Sequence, residues 1–127
     1  MKLKMSNVLA MQSIYSKMKD QVMPISLTYK LARLFKNLQD AADFYSAELN
    51  KLILNYSEKD EKGRPIPIDG GQGVKIQQDH LVEAQEKINE LLQLEVDVPD
   101  ITFTLRELEP VQLSLDEFNQ LLPFIID

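Results

Sequence analysis

The sequence predicts an α+β fold that is mainly α, on three observations. Apolar residues recur at helical spacing from Leu27 to Tyr56. A short stretch from Arg64 to Ile76 mixes prolines, glycines and β-branched residues, which a helix does not accommodate. Near the end, Ser114-Leu115-Asp116-Glu117 has the form of a capping box that opens a short helix. The expected architecture is a long antiparallel helical hairpin with an additional N-terminal helix, a short β-hairpin or small sheet, and a short C-terminal helix. All of it is expected in one domain over residues 1–127.

The first element is a helix over about 6–21, where Val8, Met11, Ile14 or Tyr15, and Met18 fall at three-to-four spacing and Ser6 or Asn7 caps. Pro24 interrupts it, and Ser26 is placed to cap a second helix over about 26–56. In that helix Leu27, Leu31, Leu34, Leu38, Ala42, Tyr45, Leu49, Leu52 and Tyr56 form a coiled-coil-like seam. The consecutive four-residue steps at Leu34–Leu38 and Leu38–Ala42 make a stutter, which relaxes left-handed supercoiling. Phe35, Phe44 and Ile53 widen the apolar face. A rod of roughly 45 Å needs cover along its length, from its own chain or another.

Charged, turn-forming residues 58–63 should end the rod. Pro65 and Pro67 make 64–68 extended, Asp69-Gly70-Gly71-Gln72-Gly73 turns, and 74–76 returns as a strand. A third helix over about 79–94, capped by Asp79, carries Leu81, Ala84, Ile88 and Leu91, and should fold back on the second. Alternation of Val96, Val98, Ile101, Phe103 and Leu105 predicts β structure over 96–105, pairing with the element at 64–76. The last helix, about 114–122, carries Leu115, Phe118, Leu121 and Leu122. Beyond Pro123 the apolar Phe124-Ile125-Ile126 should dock.

Composition removes several chemistries. With 44% hydrophobic residues a core can form, and 27% charged residues is near the soluble average. There is no cysteine, hence no disulfide, thiolate nucleophile or cysteine-held metal. No apolar run resembles a signal peptide or a bilayer span. The net charge of −6 is unevenly spread: residues 1–36 hold seven basic side chains against Asp20, and residues 95–127 hold eight acids against Arg106. Two readings follow. The ends neutralise each other or are solvated, or their opposite fields steer a head-to-tail or partner contact. An acidic total argues against nucleic-acid binding, although the basic N-terminal third leaves room for a nucleic-acid-associated accessory role.

No motif carries chemistry. Gly70-Gly71-Gln72 matches the tripeptide of release factors, but a hairpin turn is reason enough for the glycines. The segment from Glu58 to Asp69 faintly echoes a calcium loop, with Lys62 where an oxygen ligand belongs. The single His80 has no recognisable nucleophile and cannot form a three-histidine zinc site within one chain. Glu107 and Glu109, or Asp97 and Asp100, are acid pairs in a stretch rich in acids, and a solvated face explains them. No catalytic, cofactor-binding or metal residue is expected. The expected interaction residues are Lys30, Arg33 and Lys36 on one region of a helix, Glu107 and Glu109 in the acidic third, and Phe124 and Ile125 in the apolar tail.

Three segments carry a resemblance. They are Pro24-Ile25-Ser26-Leu27-Thr28-Tyr29-Lys30-Leu31-Ala32, then Tyr56-Ser57-Glu58-Lys59-Asp60-Glu61-Lys62-Gly63, then Leu113 through Phe118 to Leu121-Leu122-Pro123-Phe124-Ile125. Together they resemble a loose family of small phage- and prophage-encoded proteins of uncharacterised function, in a layout that covers most of the chain. The resemblance brings no catalytic residues. It implies a phage or prophage origin and action in the cytoplasm of a bacterial host cell. The functional expectation is a non-enzymatic protein–protein interaction module, an assembly or accessory factor. The alternative is a binder or inhibitor of a host defence or replication protein. The partner is then a phage or host protein, or a second copy of the chain in a homo-oligomer. No membrane partner is expected.

Overall fold

The protein is described by a computed structural model over residues 1–126, the side chain of Asp69 excepted. Its strands are β1 (Lys2–Lys4), β2 (Pro67–Ile68), β3 (Gly73–Val74) and β4 (Glu95–Asp97). Its helices are α1 (Met5–Ala10), α2 (Gln12–Met18), α3 (Ile25–Tyr56), α4 (Leu81–Gln93), α5 (Leu105–Leu108) and α6 (Leu115–Leu121). The fold is α+β and mainly α, with α3 as its longest element. The backbone groups into two compact units. One is Met1–Asp43 with the chain from Glu95 onward, and the other is Phe44–Leu94.

The first unit holds the hydrophobic core. Met5, Val8, Met11, Ile14 and Met18 line up on α1, the turn after it and α2, all buried. They meet Leu27, Leu31, Leu34, Phe35, Leu38 and Ala42 of α3, also buried. Val98, Ile101, Phe103, Leu108, Leu121 and Phe124 complete the core. Three methionines on one stripe suit a core built from short elements at irregular angles, since the thioether chain adapts to uneven gaps.

The N-terminal helix expected at 6–21 is corrected in two ways. It starts at Met5 without a side-chain cap, and it breaks at Met11 into α1 and α2. Before it lies an unexpected strand. β1 pairs antiparallel with β4, setting Lys2 opposite Asp97, Leu3 opposite Val96 and Lys4 opposite Glu95. Opposite charges directly across a two-stranded ribbon favour that register over a one-residue slip.

The predicted strand over 96–105 is likewise corrected. Only Glu95–Asp97 is a strand, and its partner is β1 rather than the element at 64–76. Residues 105–108 are helical because Thr104 and Glu107 form a capping box: Thr104 Oγ1 accepts from the Glu107 amide and the Glu107 carboxylate accepts from the Thr104 amide. The predicted box at Ser114 and Glu117 opens α6 in the same way. The apolar tail docks within its own unit. The Phe103 amide donates to the Phe124 carbonyl and the Ile126 amide to the Phe103 carbonyl, each at 2.8 Å.

The second unit contains the end of α3, a β excursion and α4. β2 and β3 pair antiparallel around a turn at Asp69–Gly71, where Gly70 and Gly71 take φ of 68° and 92°. Two consecutive residues in the left-handed region favour glycine, which carries no Cβ penalty there. The excursion is tied to its base by a third segment: the Glu58 amide donates to Lys75 and the Ile66 amide to Glu58. Buried Ser57 donates to the Leu54 carbonyl at the helix end. α4 runs antiparallel to the end of α3. Tyr56 bonds Glu83 near the start of α4, while Glu48 and Leu52 share a groove with Leu91 and Leu94 at its far end. The third helix thus spans nearly the residues expected of it, and it flanks the last turns of α3. Ser26 lies inside α3 and Asp79 inside a 3-10 turn at Gln78–His80, so neither is the cap the sequence suggests. The residue before α4 is His80, which makes no side-chain cap.

Candidate interaction surface

Of the charged candidates, all in the first unit, Lys30 and Glu107 pair with each other. Lys30 Nζ lies 2.8 Å from the Glu107 carboxylate and donates to the Thr102 carbonyl at 2.9 Å. Lys17 holds Glu117 at 2.8 Å, Lys2 stands 3.8 Å from Glu95, and the N-terminal ammonium holds Asp100 at 2.9 Å. The basic N-terminal stretch thus lies against the acidic C-terminal stretch inside one unit, which is the mutual-neutralisation reading of the charge asymmetry. Lys30, together with the Thr104 amide, holds the Glu107 carboxyl below the usual carboxylate range. Lys17, together with the Ser114 cap, lowers Glu117 to about 2.

The other candidates are scattered. Arg33 lies over the Tyr29 ring at 5.9 Å, and Lys36 is exposed at the rim of a cavity beside Tyr15 and Phe35. Glu109 is exposed and makes no ion pair among the described residues. Phe124 is corrected outright: it is fully buried, so it is core rather than contact. Ile125 is half-buried and bridges Phe103. Of the sequence-predicted residues the structure brings Lys30 and Glu107 into direct contact.

A different surface is open in the second unit. Among its described residues only Ala84 and Ser57 are buried. The continuation of the seam, Tyr45, Leu49, Leu52 and Tyr56, is only half-buried, as are Ile88 and Leu91 facing it. Phe44 is 51% exposed, Leu81 50%, Val82 74% and Leu94 42%. Two grooves follow the hairpin. One, of about 290 Å³, is walled by Leu52, Ile53, Val74, Ile76, Leu81 and Ile88. The other, of about 230 Å³, has Leu52, Leu91 and Leu94 as its floor and Glu48, Lys87 and Glu90 on its rim. The seam periodicity signals this face in the sequence, but nothing in the sequence shows that its first half is covered and its second half is not.

One polar cluster sits at the mouth of the hairpin. The Tyr56 hydroxyl donates to Glu83 at 3.0 Å, His80 Nδ1 lies 3.2 Å from the other Glu83 oxygen, and the Tyr56 and His80 rings are 5.7 Å apart. His80, with Tyr56, lowers the Glu83 pKa, and Glu83 raises that of Tyr56. These groups clip the end of α3 to the start of α4. No helix among the described residues is long and apolar enough to cross a membrane.

No protein-family model, no curated protein and no solved structure matches the chain.

Proposed function

We propose that the chain is a non-enzymatic protein–protein interaction module that works through the α3–α4 hairpin of its second unit. One observation carries this reading: the hairpin leaves its apolar seam half-open where the first unit closes the same seam. A unit of about 50 residues without disulfides builds only a small core, which an association would enlarge. Open apolar surface of this kind is what binding faces present. The phage-type resemblance in its three segments points the same way, toward an assembly or accessory factor acting in a bacterial cytoplasm. The pairing of Lys30 and Lys17 with carboxylates weighs against the alternative of nucleic-acid binding, because those cations are already neutralised.

The test uses the full chain as bait in bacterial lysate supplemented with a differently tagged copy of itself. A Phe44→Ser/Leu94→Glu variant is the comparison, since both side chains are exposed and the substitutions leave the buried core of the first unit untouched. A protein retained by the parent chain and lost by the variant is expected. Retention of nothing, or equal retention by both, overturns the reading.

A further inference from the structure

We propose that the occupant of the groove between α3 and α4 is a second copy of this chain, packed groove to groove about a two-fold axis. The inference rests on the reading of the hairpin as a binding face and names its partner.

The charge on the rim favours a second copy. A two-fold contact presents the same patch from both sides, so the patch must complement itself. Here two acids, Glu48 and Glu90, stand on the rim with Lys87, and Lys51 reaches the rim through its contact with Glu48. Each pairs at present within its own helix, Lys51 with Glu48 at 3.1 Å and Lys87 with Glu90 at 3.7 Å. Such exposed pairs stabilise little and exchange partners readily. Facing a copy of itself, the rim sets lysine against carboxylate in both directions. The chain as a whole carries −6, so two copies repel over most of their surface. The four charges Glu48, Lys51, Lys87 and Glu90 sum to zero, which lowers that repulsion where contact would be made. A partner selected by charge of one sign would be met by a rim of one sign, and this rim has both.

The floor supplies the attraction. Leu52, Leu91 and Leu94 line it, and exposed Phe44 stands one helical turn before Glu48 on the same helix. Two such hairpins packed face to face make a four-helix arrangement, the simplest way to close two open seams. The face is about 20 Å long, the length of α4, and two helices wide. That is small among stable interfaces, so the association should depend on concentration in roughly the micromolar range.

Sedimentation equilibrium of the full chain from about 1 to 500 μM tests this. A monomer–dimer equilibrium is expected. Lys87→Glu, at an exposed position, should weaken it about tenfold or more by setting acid against acid. Reversing all four charges (Glu48→Lys, Lys51→Glu, Lys87→Glu, Glu90→Lys) should restore self-association, and the reversed chain should not mix with the parent. Far-ultraviolet circular dichroism of each variant at high dilution checks that the helices persist. A dimer insensitive to Lys87→Glu overturns the proposal, and so does a monomer at the highest concentration. If that monomer still retains another protein through Phe44 and Leu94, only the second copy is rejected and the binding-module reading stands. If it retains nothing, both fall.

Discussion

Phe103 and Glu117 show how far single residues decide this structure. Phe103 is fully buried and its backbone holds the chain end on both sides, through Phe124 and Ile126. Phe103→Ala should cost about 3–5 kcal/mol in urea unfolding, because the cavity opens where the terminal segment docks and cannot collapse without releasing it. Glu117 carries the acid sensitivity. Its carboxyl titrates at about 2 in the folded chain, against 4.5 as its ordinary value, because Lys17 and the Ser114 cap stabilise the anion. A lowered folded pKa stabilises fully above the unfolded value. That contribution is lost as pH falls from about 4.5 through about 2. Glu107 and Glu83 shift in the same direction, through Lys30 and His80 respectively. Stability measured by urea unfolding should therefore decline across this acid window, and Glu117→Gln should make the decline shallower. An unchanged acid limb in that variant would remove Glu117 from the account. None of these residues stands out in the sequence as a partner of the other. Lys30 and Glu107 are 77 positions apart, and only the fold brings them together.

At the scale of elements, legibility follows how local the cause is. α3 is readable because its apolar steps repeat over eight turns, and α6 because its capping box lies within four residues. The turn at Gly70 and Gly71 is readable because positive φ selects glycine. α5 was equally readable in principle: Thr104 and Glu107 stand three apart, as Ser114 and Glu117 do. The alternation from Val96 to Leu105 hides it, since a period of two continues by accident into the first helical residue. β1 is invisible to periodicity, because three residues make no pattern. Its pairing emerges only when Lys-Leu-Lys is laid against Glu-Val-Asp. Nothing in the local sequence marks the break at Met11. Both capping boxes lend themselves to a direct test. Ser114→Ala and Thr104→Ala should each cost about 1 kcal/mol in thermal or urea unfolding, the usual loss when an N-terminal amide loses its side-chain acceptor. No measurable loss from either would mean water replaces the hydroxyl at no cost.

Across the whole molecule the apolar seam is one feature with two fates. The sequence writes it without interruption from Leu27 to Tyr56, and no residue in it announces where cover stops. From Leu27 to Ala42 it is buried within a unit that has a full core, and from Tyr45 onward it is half-buried in a unit that has almost none. Pattern reports which face seeks burial, whereas the amount of burial depends on how many other elements the chain can bring to that face. Here α1, α2 and the C-terminal segments all fall to the first unit, leaving α4 and a small β excursion for the second. Amide exchange should register the difference. Amides of Leu31–Leu38 should open only with global unfolding, at any protein concentration. Amides of Leu49–Tyr56 and Ala84–Leu91 should exchange faster by sub-global opening in dilute solution, and should slow as concentration rises and the open face is occupied. Slow exchange of both sets at high dilution would show that the second unit is already stable alone. The half-open seam would then carry no demand for a partner, and the binding role proposed for the hairpin would lose its physical basis.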